Sequence, residues 1–150
     1  GLIDTYMSRC SPNDTEKLKL IEWYYNNSLH RISRKALPHV VKIDNIPLFN
    51  SAQQVTKGRV TQKMVHIAAR FGNYNMMLYL INSDVILNVR IIGSIIRYGS
   101  KYRDKLMSLI QLLESRIHWK TDTPRVQIYE FRHAVRNGLL DLMEYLPIYQ

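Results

Sequence analysis

The chain has 150 residues, of which 46% are hydrophobic and only 6 are glycine and 5 proline, so its composition indicates a globular domain and excludes a disordered chain. No apolar run approaches the ~20 residues that a membrane-spanning helix requires. The net charge of +9 is unevenly distributed, since the segment from Trp23 to Ser83 carries eight basic residues and a single acid, Asp44.

Residues 1–10 predict either a short helix or a mobile chain end, and a clearer helix start follows them. Ser11 is a favourable N-cap, Pro12 suits the first helical position, and Asp14 closes a loose capping box. The amphipathic residues after this start predict a helix whose aromatic cluster packs in the core rather than forming a platform for stacked bases. The cluster consists of Trp23, Tyr24 and Tyr25.

The next part of the chain predicts less regular structure. We expect a helix over residues 29–37 that ends at Pro38, because proline disfavours helical geometry in the residue before it. Residues 39–50 are expected to form a packed loop. Residues 51–57 predict a short helix that ends at Gly58.

Residues 64–81 predict a helical hairpin, and the rest of the chain is organised around it. Thr61 provides an N-cap for the first helix, and Gly72 permits the left-handed conformation that ends it. The small Ala68 and Ala69 allow two helices to approach closely. Apolar residues at helical spacing follow the glycine: Met76, Met77, Leu80 and Ile81.

Two further copies of this pattern follow, each with an arginine two residues before a glycine. The three arginines are Arg70, Arg97 and Arg136, and the three glycines are Gly72, Gly99 and Gly138. A helix pair of this length cannot bury its own apolar face, so it is expected to stack against neighbours of the same kind.

The pattern resembles the ankyrin repeat. The strings HIAARFG (residues 66–72) and HAVRNG (residues 133–138) match the centre of that family's core motif, and their glycines are 66 residues apart, twice the ~33-residue ankyrin period. His66 falls on the family histidine that makes structural hydrogen bonds near the repeat turn. The chain departs from the family where Lys63-Met64 replaces Thr-Pro, and the spacing between successive glycines is irregular, at 27 and then 39 residues. Divergent, isoleucine- and tyrosine-rich repeats of this kind are similar to those in proteins of large DNA viruses, such as the multigene families of African swine fever virus.

The predicted fold is all-α: a short, irregular, ankyrin-like helical-repeat solenoid with an N-terminal helical cap. Residues 1–60 are expected to form the cap and a loop, because the end of a repeat stack needs covering. Residues 61–150 are expected to form about three ankyrin-like helix pairs in a single compact unit. Since the chain starts with Gly1 rather than methionine, the repeats are expected to continue in a longer parent protein.

No constellation of residues in the sequence indicates catalysis or metal binding. The five histidines lack the recurrent spacing of zinc ligands, the carboxylates are few and scattered, and no glycine-rich phosphate loop occurs. Cys10 has no nearby histidine to activate it. As the only cysteine it excludes an internal disulfide, which indicates a reducing intracellular compartment, the cytoplasm or nucleus, including that of an infected host cell. We therefore expect no enzymatic activity, no cofactor and no metal.

Partner-binding residues are predicted at the repeat turns. If the copies stack, Arg70, Arg97 and Arg136 form a column along one edge of the solenoid. Phe71 and Tyr98 stand beside two of these arginines in the sequence. Arginine next to an aromatic ring is frequent in protein-interface hot spots and in contacts to single-stranded nucleic acid. The alternative is structural, since an arginine at this position also stabilises the C-terminus of a helix.

Two groups of basic residues form a second candidate surface. The first is a basic belt of Arg31, Arg34, Lys35, Lys57, Arg59 and Lys63. The second is a cluster of Lys101, Arg103 and Lys105. Such residues attract acidic proteins, nucleic acid or anionic lipid, or they are simply a solvated basic face.

The sequence favours a protein–protein interaction module that binds a partner with an acidic patch. The resemblance implies that this is a viral protein that binds a host factor. The alternative is a nucleic-acid-binding protein that acts through its basic face. The repeats favour the first function, because positive charge alone only permits the second.

Overall fold

The computed structural model describes residues 2–88, 90–117, 132–133 and 136–139. All regular elements among them are helical, so the prediction of an all-α chain is confirmed. The chain forms two compact units, residues 1–85 and residues 86–150. The predicted division after residue 60 follows the sequence repeats and stays a prediction.

The core of the first unit lies around a short central helix. The helices among its described residues are α1 (Leu2–Arg9), α2 (Thr15–Asn27), a 3₁₀ helix (Leu29–Arg31), α3 (Leu37–Val40), α4 (Ile46–Thr56), α5 (Gln62–Phe71) and α6 (Tyr74–Ile81). The four-residue α3 packs against α1, α4 and α5, and its Leu37 and Val40 are almost fully buried. The segment before the predicted hairpin is therefore packed directly onto it.

The predicted helical hairpin is confirmed as α5 and α6. Thr61 is the N-cap residue of α5, and Gly72 ends this helix with a φ of 71°, in the left-handed region. The amide of Gly72 donates to the carbonyl of Ala69 at 3.2 Å, and the amide of Asn73 donates to that of Ala68 at 3.0 Å. These bonds satisfy carbonyls that the helix end would otherwise leave unpaired. The predicted apolar face is fully buried and consists of Ala68, Ala69, Met76, Met77, Leu80 and Ile81.

Two prolines lie at helix starts, where the sequence had predicted a helix end and a loop. The predicted helix over residues 29–37 is wrong, because only a 3₁₀ turn forms at its start and Pro38 lies in the first turn of α3. The predicted loop over residues 39–50 is also wrong, since it contains the start of α4 with Pro47 in the first turn. Proline is tolerated there because the first amides of a helix have no intrahelical acceptor.

Helix α4 begins earlier than the predicted short helix and ends where that helix was expected to end. Asn45 caps its start, since its side-chain oxygen accepts a hydrogen bond from the amide of Leu48 at 2.9 Å. Its end is marked by Lys57, which adopts a left-handed conformation with a φ of 54°. The predicted terminator, Gly58, follows directly.

The start of the second helix is displaced from its predicted position. Ser11 does not cap a helix, because α2 begins only at Thr15. The amide and hydroxyl of Ser11 instead donate to the Asp14 carboxylate at 2.7 and 3.2 Å, within a turn that precedes the helix. The expected side-chain pairing therefore forms, but it orders a turn and not the first helical residues.

The aromatic cluster of α2 is divided between the core and the surface. Tyr25 is fully buried, together with Ile21 one helical turn earlier, and its hydroxyl donates to the Asp4 carboxylate. Trp23 is 64% exposed, so the prediction that the whole cluster packs in the core is wrong for this residue. The reason is helical geometry, because residues two apart point to different sides of a helix.

Lys42 is a buried cation that stabilises the packing of α1 against the core. Its ammonium group donates to the carbonyls of Met7, Ser8 and Cys10 at 3.0, 3.1 and 3.0 Å, and these carbonyls lie at the end of α1. The ring of Phe71 lies 5.4 Å from the same nitrogen. Burial lowers the pKa of Lys42, but the three carbonyls and the negative end of the helix dipole favour its charged form.

The second unit repeats part of the hairpin pattern with a different turn. Its described helices are α7 (Arg90–Arg97), a 3₁₀ helix (Gly99–Lys105) and α8 (Leu106–Arg116), and α7 packs against α8. Gly99 is not in the left-handed region, unlike Gly72 and Gly138, whose φ values are 71° and 64°. A Cβ atom at Gly99 would lie 2.8 Å from Cδ2 of Leu106. A larger residue here would displace Leu106, and the turn of the second copy differs from that of the first in its backbone conformation.

The predicted third helix pair, residues 131–146, lies mostly outside the described residues. The described part includes Asn137, whose side-chain amide donates to the carbonyl of Arg97 at 3.2 Å. This segment therefore contacts the C-terminus of α7, next to the second copy of the turn.

Candidate functional site

Three residues of the predicted basic belt converge on one cleft in the first unit. Arg34, Lys57 and Arg59 line a cleft of about 460 Å³. Its other lining residues are Leu37, Pro38, Gly58, Thr61 and Met64. The remaining belt residues, Arg31, Lys35 and Lys63, are exposed and do not line it. Half of the belt therefore forms a concave site, and the other half does not contribute to it.

Arg34 is held at this cleft by the end of α4. Its Nε donates to the carbonyl of Thr56 at 3.2 Å, and its Nη2 donates to the carbonyl of Lys57 at 3.5 Å. A cation is stabilised at this position by the negative end of the helix dipole. Because these bonds use only two of the guanidinium N–H groups, the others are left for a ligand.

The backbone between Lys57 and Arg59 is shaped by a tight contact at Gly58. A Cβ atom at Gly58 would lie 2.3 Å from Cδ2 of Leu37, and Leu37 is almost fully buried. Any larger residue would therefore displace a core side chain. With Lys57 in the left-handed region, the chain turns sharply after α4, and the cations on both sides of Gly58 line the same cleft.

The cleft is positively charged without a matching acid. No acidic side chain lines it, and among the described residues no carboxylate pairs with Arg34, Lys57 or Arg59. Thr61 lies on the cleft just before α5, and its side chain makes no capping hydrogen bond. The first turn of α5 has no acidic residue, so the positive end of its dipole is not neutralised there. The cleft therefore favours an anion.

A second cleft of the first unit, of about 340 Å³, has mixed charge. It is lined in part by Phe71, one of the predicted partner-binding residues. The charged residues in its lining are Lys19, Glu22, Lys42 and Asp44. Because both signs are present, this cleft has no clear preference for an anionic ligand.

The predicted turn residues place an arginine against a ring in each unit. The Cζ atom of Arg70 lies 5.9 Å from the ring centroid of Phe71, and that of Arg97 lies 5.4 Å from Tyr98. Arg136 is exposed. Arg70 belongs to the first unit and the other two arginines to the second, and their alignment in one column stays a prediction.

The second predicted cluster lies on the 3₁₀ helix after α7. Lys101, Arg103 and Lys105 are all exposed. Arg103 donates through Nη2 to the carbonyl of Gly138 at 2.6 Å, and the ammonium of Lys101 lies 5.9 Å from the ring of Tyr98. Arg103 and Lys101 thus make contacts within the second unit, which gives this cluster a structural role of its own.

Two histidines of the first unit, His39 and His66, have pKa values below the ordinary value. Burial, together with the charges of Lys42 and Lys63, lowers the pKa of His39 to about 4. Burial also lowers the pKa of His66. Among the described residues, no three histidine, cysteine or acidic side chains lie close enough together to hold a metal ion.

Three residues that matter for this region were not predicted as functional. Lys42 counted only toward the net charge, although its place in the apolar run of residues 40–43 was a signal of burial. Gly58 was predicted only as a helix terminator, and Thr61 only as a cap. The role of Gly58 at the cleft depends on its contact with Leu37 of α3, which local sequence patterns do not specify.

No helix in the described part of the chain is both long and apolar enough to cross a membrane. In comparisons with protein-family models, curated proteins and solved structures, no significant match to this chain was found. The resemblance to ankyrin repeats and to viral proteins therefore stays a prediction from the sequence motifs.

Proposed function

We propose that this chain is a non-enzymatic protein-interaction module that binds an acidic surface of a partner through the cleft of Arg34, Lys57 and Arg59. The observation that carries this proposal is the convergence of three cations from two separate segments on one cleft, with no paired carboxylate among the described residues. Clustered like charges repel one another, and an anionic partner relieves that repulsion. The concave shape adds contact area around the charges.

We also propose that the scaffold is a short, irregular ankyrin-like solenoid with residues 1–60 as its cap. This proposal is supported by α5 and α6, a helix pair with the left-handed Gly72 at its turn, and by the left-handed Gly138 in the third copy. The different turn at Gly99 fits the irregular spacing of the copies. From the resemblance to the divergent repeats of large DNA viruses, we infer that the chain is viral and that the partner is a host protein.

The absence of catalysis remains part of the proposal, and the state of Cys10 supports it. The thiol is 5% exposed, and burial raises its pKa, as does the charge of Asp14. A buried, protonated thiol is a poor nucleophile. A single reduced cysteine also fits a reducing compartment inside the cell.

Nucleic acid is the competing ligand, because the same three cations suit phosphate groups as well as carboxylates. An affinity capture from cell lysate, with the full chain as bait, distinguishes the two functions. One half of the lysate is treated with nuclease, and both halves are washed at roughly 0.3 M salt, which shortens the range of non-specific electrostatic attraction.

Two double variants make this capture specific to the cleft. Lys57→Asn with Arg59→Gln removes two charges from the cleft, and Arg31→Gln with Lys35→Gln removes two exposed belt charges outside it. We expect a protein that survives nuclease and is lost with the first variant but retained by the second. If everything captured disappears with nuclease, the ligand is nucleic acid and the proposed protein interaction is wrong.

A further inference from the structure

We propose that the cleft recognises a phosphorylated side chain, so that the partner's acidic surface is a phosphopeptide segment. This inference rests on the proposed function and names the chemistry of the group that enters the cleft. Three cations line the cleft, whereas a single carboxylate carries only one negative charge, so one carboxylate does not balance the charge of the cleft. A phosphate monoester carries roughly −1.5 to −2 at pH 7 and offers three acceptor oxygens.

The donors at the cleft match these oxygens in type. Arg34 donates hydrogen bonds to the carbonyls of Thr56 and Lys57, and its remaining N–H groups are left for a ligand. Lys57 and Arg59 are exposed and make no ion pair among the described residues. Phosphate therefore has charged donors of both the arginine and the lysine type around it.

The hydroxyl of Thr61 adds a neutral donor on the same cleft. It makes no hydrogen bond to the first turn of α5, although it occupies the N-cap position. The ten-residue α5 starts directly after it, and its first amides have no intrahelical acceptor. These groups add to the three cations and do not define the site without them.

The lining favours a peptide over a nucleic-acid strand. Strands are bound by continuous rows of cations with aromatic side chains for base stacking. None of the residues that line this cleft is aromatic, and Lys35 and Lys63 of the belt do not line it. The buried residues Leu37 and Met64 instead contribute apolar lining. The half-buried Pro38 provides an apolar surface for a residue that flanks the phosphate.

The test is an amide NMR titration of the full chain with inorganic phosphate, against sodium chloride at matched ionic strength. We expect saturable shifts of the amides of Gly58, Arg59 and Thr61 with phosphate and not with chloride. Lys57→Asn with Arg59→Gln should weaken phosphate binding by at least about tenfold, the size expected for loss of charge-assisted hydrogen bonds. Asparagine is chosen at the first position because it tolerates the left-handed conformation.

The matched control is Arg31→Gln with Lys35→Gln, which lowers the net charge equally and should change phosphate binding by less than about twofold. Equal losses in both double variants, or equal shifts with chloride, would show a diffuse basic face and overturn the site. Unchanged circular dichroism spectra establish that both variants are folded. This test can fail while the proposed protein interaction holds, because a partner that binds the cleft through carboxylates would still be captured from lysate.

The class of ligand is tested with two further probes. A degenerate peptide pool with a fixed phosphoserine should bind at least about tenfold more tightly than the same pool with serine, and should shift the same amides. If a single-stranded oligothymidylate binds through these amides more tightly than the phosphoserine pool, the cleft is a nucleic-acid site and the phosphopeptide proposal is wrong.

Discussion

At the residue scale, glycines that hold the same place in the repeat motif are required for different physical reasons. Gly72 has a φ of 71°, whereas Gly99 lies outside the left-handed region and leaves no room for a Cβ beside Leu106. The motif shows where small residues recur, but it does not show whether backbone conformation or packing requires them. Substitutions at Gly72 separate the two requirements.

We predict that Gly72→Val lowers the free energy of unfolding by roughly 1–3 kcal/mol, because a β-branched residue is disfavoured in the left-handed region. Gly72→Asn should lower it by less, since asparagine tolerates that conformation better. Urea unfolding of both variants measures the difference. Equal losses would mean that space, and not backbone conformation, requires the glycine.

His39 provides a prediction of pH dependence. Its pKa is lowered from 6.5 to about 4 by burial and by the nearby Lys42 and Lys63, and its Nδ1 has no hydrogen-bond partner among the described residues. Between these two pH values the unfolded chain binds a proton that the folded chain does not. The free energy of unfolding should therefore fall as the pH is lowered from 6.5 toward 4.

The variant His39→Gln removes this titration. Between about pH 7.5 and about pH 5, the wild-type chain should lose roughly 1–2 kcal/mol more than the variant, a value reduced from the full linkage because His39 is only half-buried. Urea unfolding at the two pH values gives both losses, and His66 titrates in both chains alike. Identical losses would contradict the lowered pKa of His39 in the folded chain.

At the element scale, Lys42 links α1 to the core through one ammonium group. The three carbonyls that it contacts belong to Met7, Ser8 and Cys10, so the end of α1 depends on a residue more than thirty positions away. Without this cation, these carbonyls would lack that partner in a region that excludes water. The packing of α1 therefore depends on a single side chain that is distant in sequence.

We predict that Lys42→Met lowers the free energy of unfolding by roughly 2–3 kcal/mol and loosens α1. Cys10 reports this loosening, because its thiol is 5% exposed in the folded chain. Its alkylation rate should rise in Lys42→Met and stay unchanged in the control Lys19→Met, which removes an exposed lysine of α2. An unchanged rate in Lys42→Met would show that other contacts hold α1.

Helices with a strong local pattern were predictable, and helices that depend on tertiary contacts were not. The hairpin of α5 and α6 combines helical apolar spacing with a left-handed glycine, and both signals are local. Pro38 and Pro47 were interpreted as interruptions, although each lies in the first turn of a helix. From sequence alone, a proline that starts a helix cannot be distinguished from one that follows a helix. The difference depends on whether the next residues pack as a helix, and α3 packs against elements that are distant in sequence.

The candidate cleft was predictable in its residue types but not in its geometry. All three cations belong to the predicted basic belt, because positive charge is visible in the sequence. Arg34 reaches Lys57 only because α3 and α4 pack together, across more than twenty residues of chain. For the same reason, no sequence pattern separates these cations from Arg31 and Lys35, which lie outside the cleft.

At the scale of the whole molecule, the net charge of +9 attracts any polyanion, and salt dependence distinguishes the ligands. A nucleic-acid site with about six to ten phosphate contacts loses roughly 10³–10⁵ in affinity between about 50 and 200 mM salt. We predict that the affinity for the captured partner falls by well below 10³-fold over the same salt range, because only three cations line the cleft. Fluorescence anisotropy over this salt range measures the slope, and a loss within the nucleic-acid range would contradict the prediction.

Amide hydrogen exchange with and without the captured partner tests whether the partner binds the cleft of Arg34, Lys57 and Arg59. Binding at this cleft should slow exchange over residues 57–64 and should change it little over residues 90–105 of the second unit. Protection confined to residues 90–105, around Arg97 and Tyr98, would contradict it and place the interaction at the predicted repeat turns.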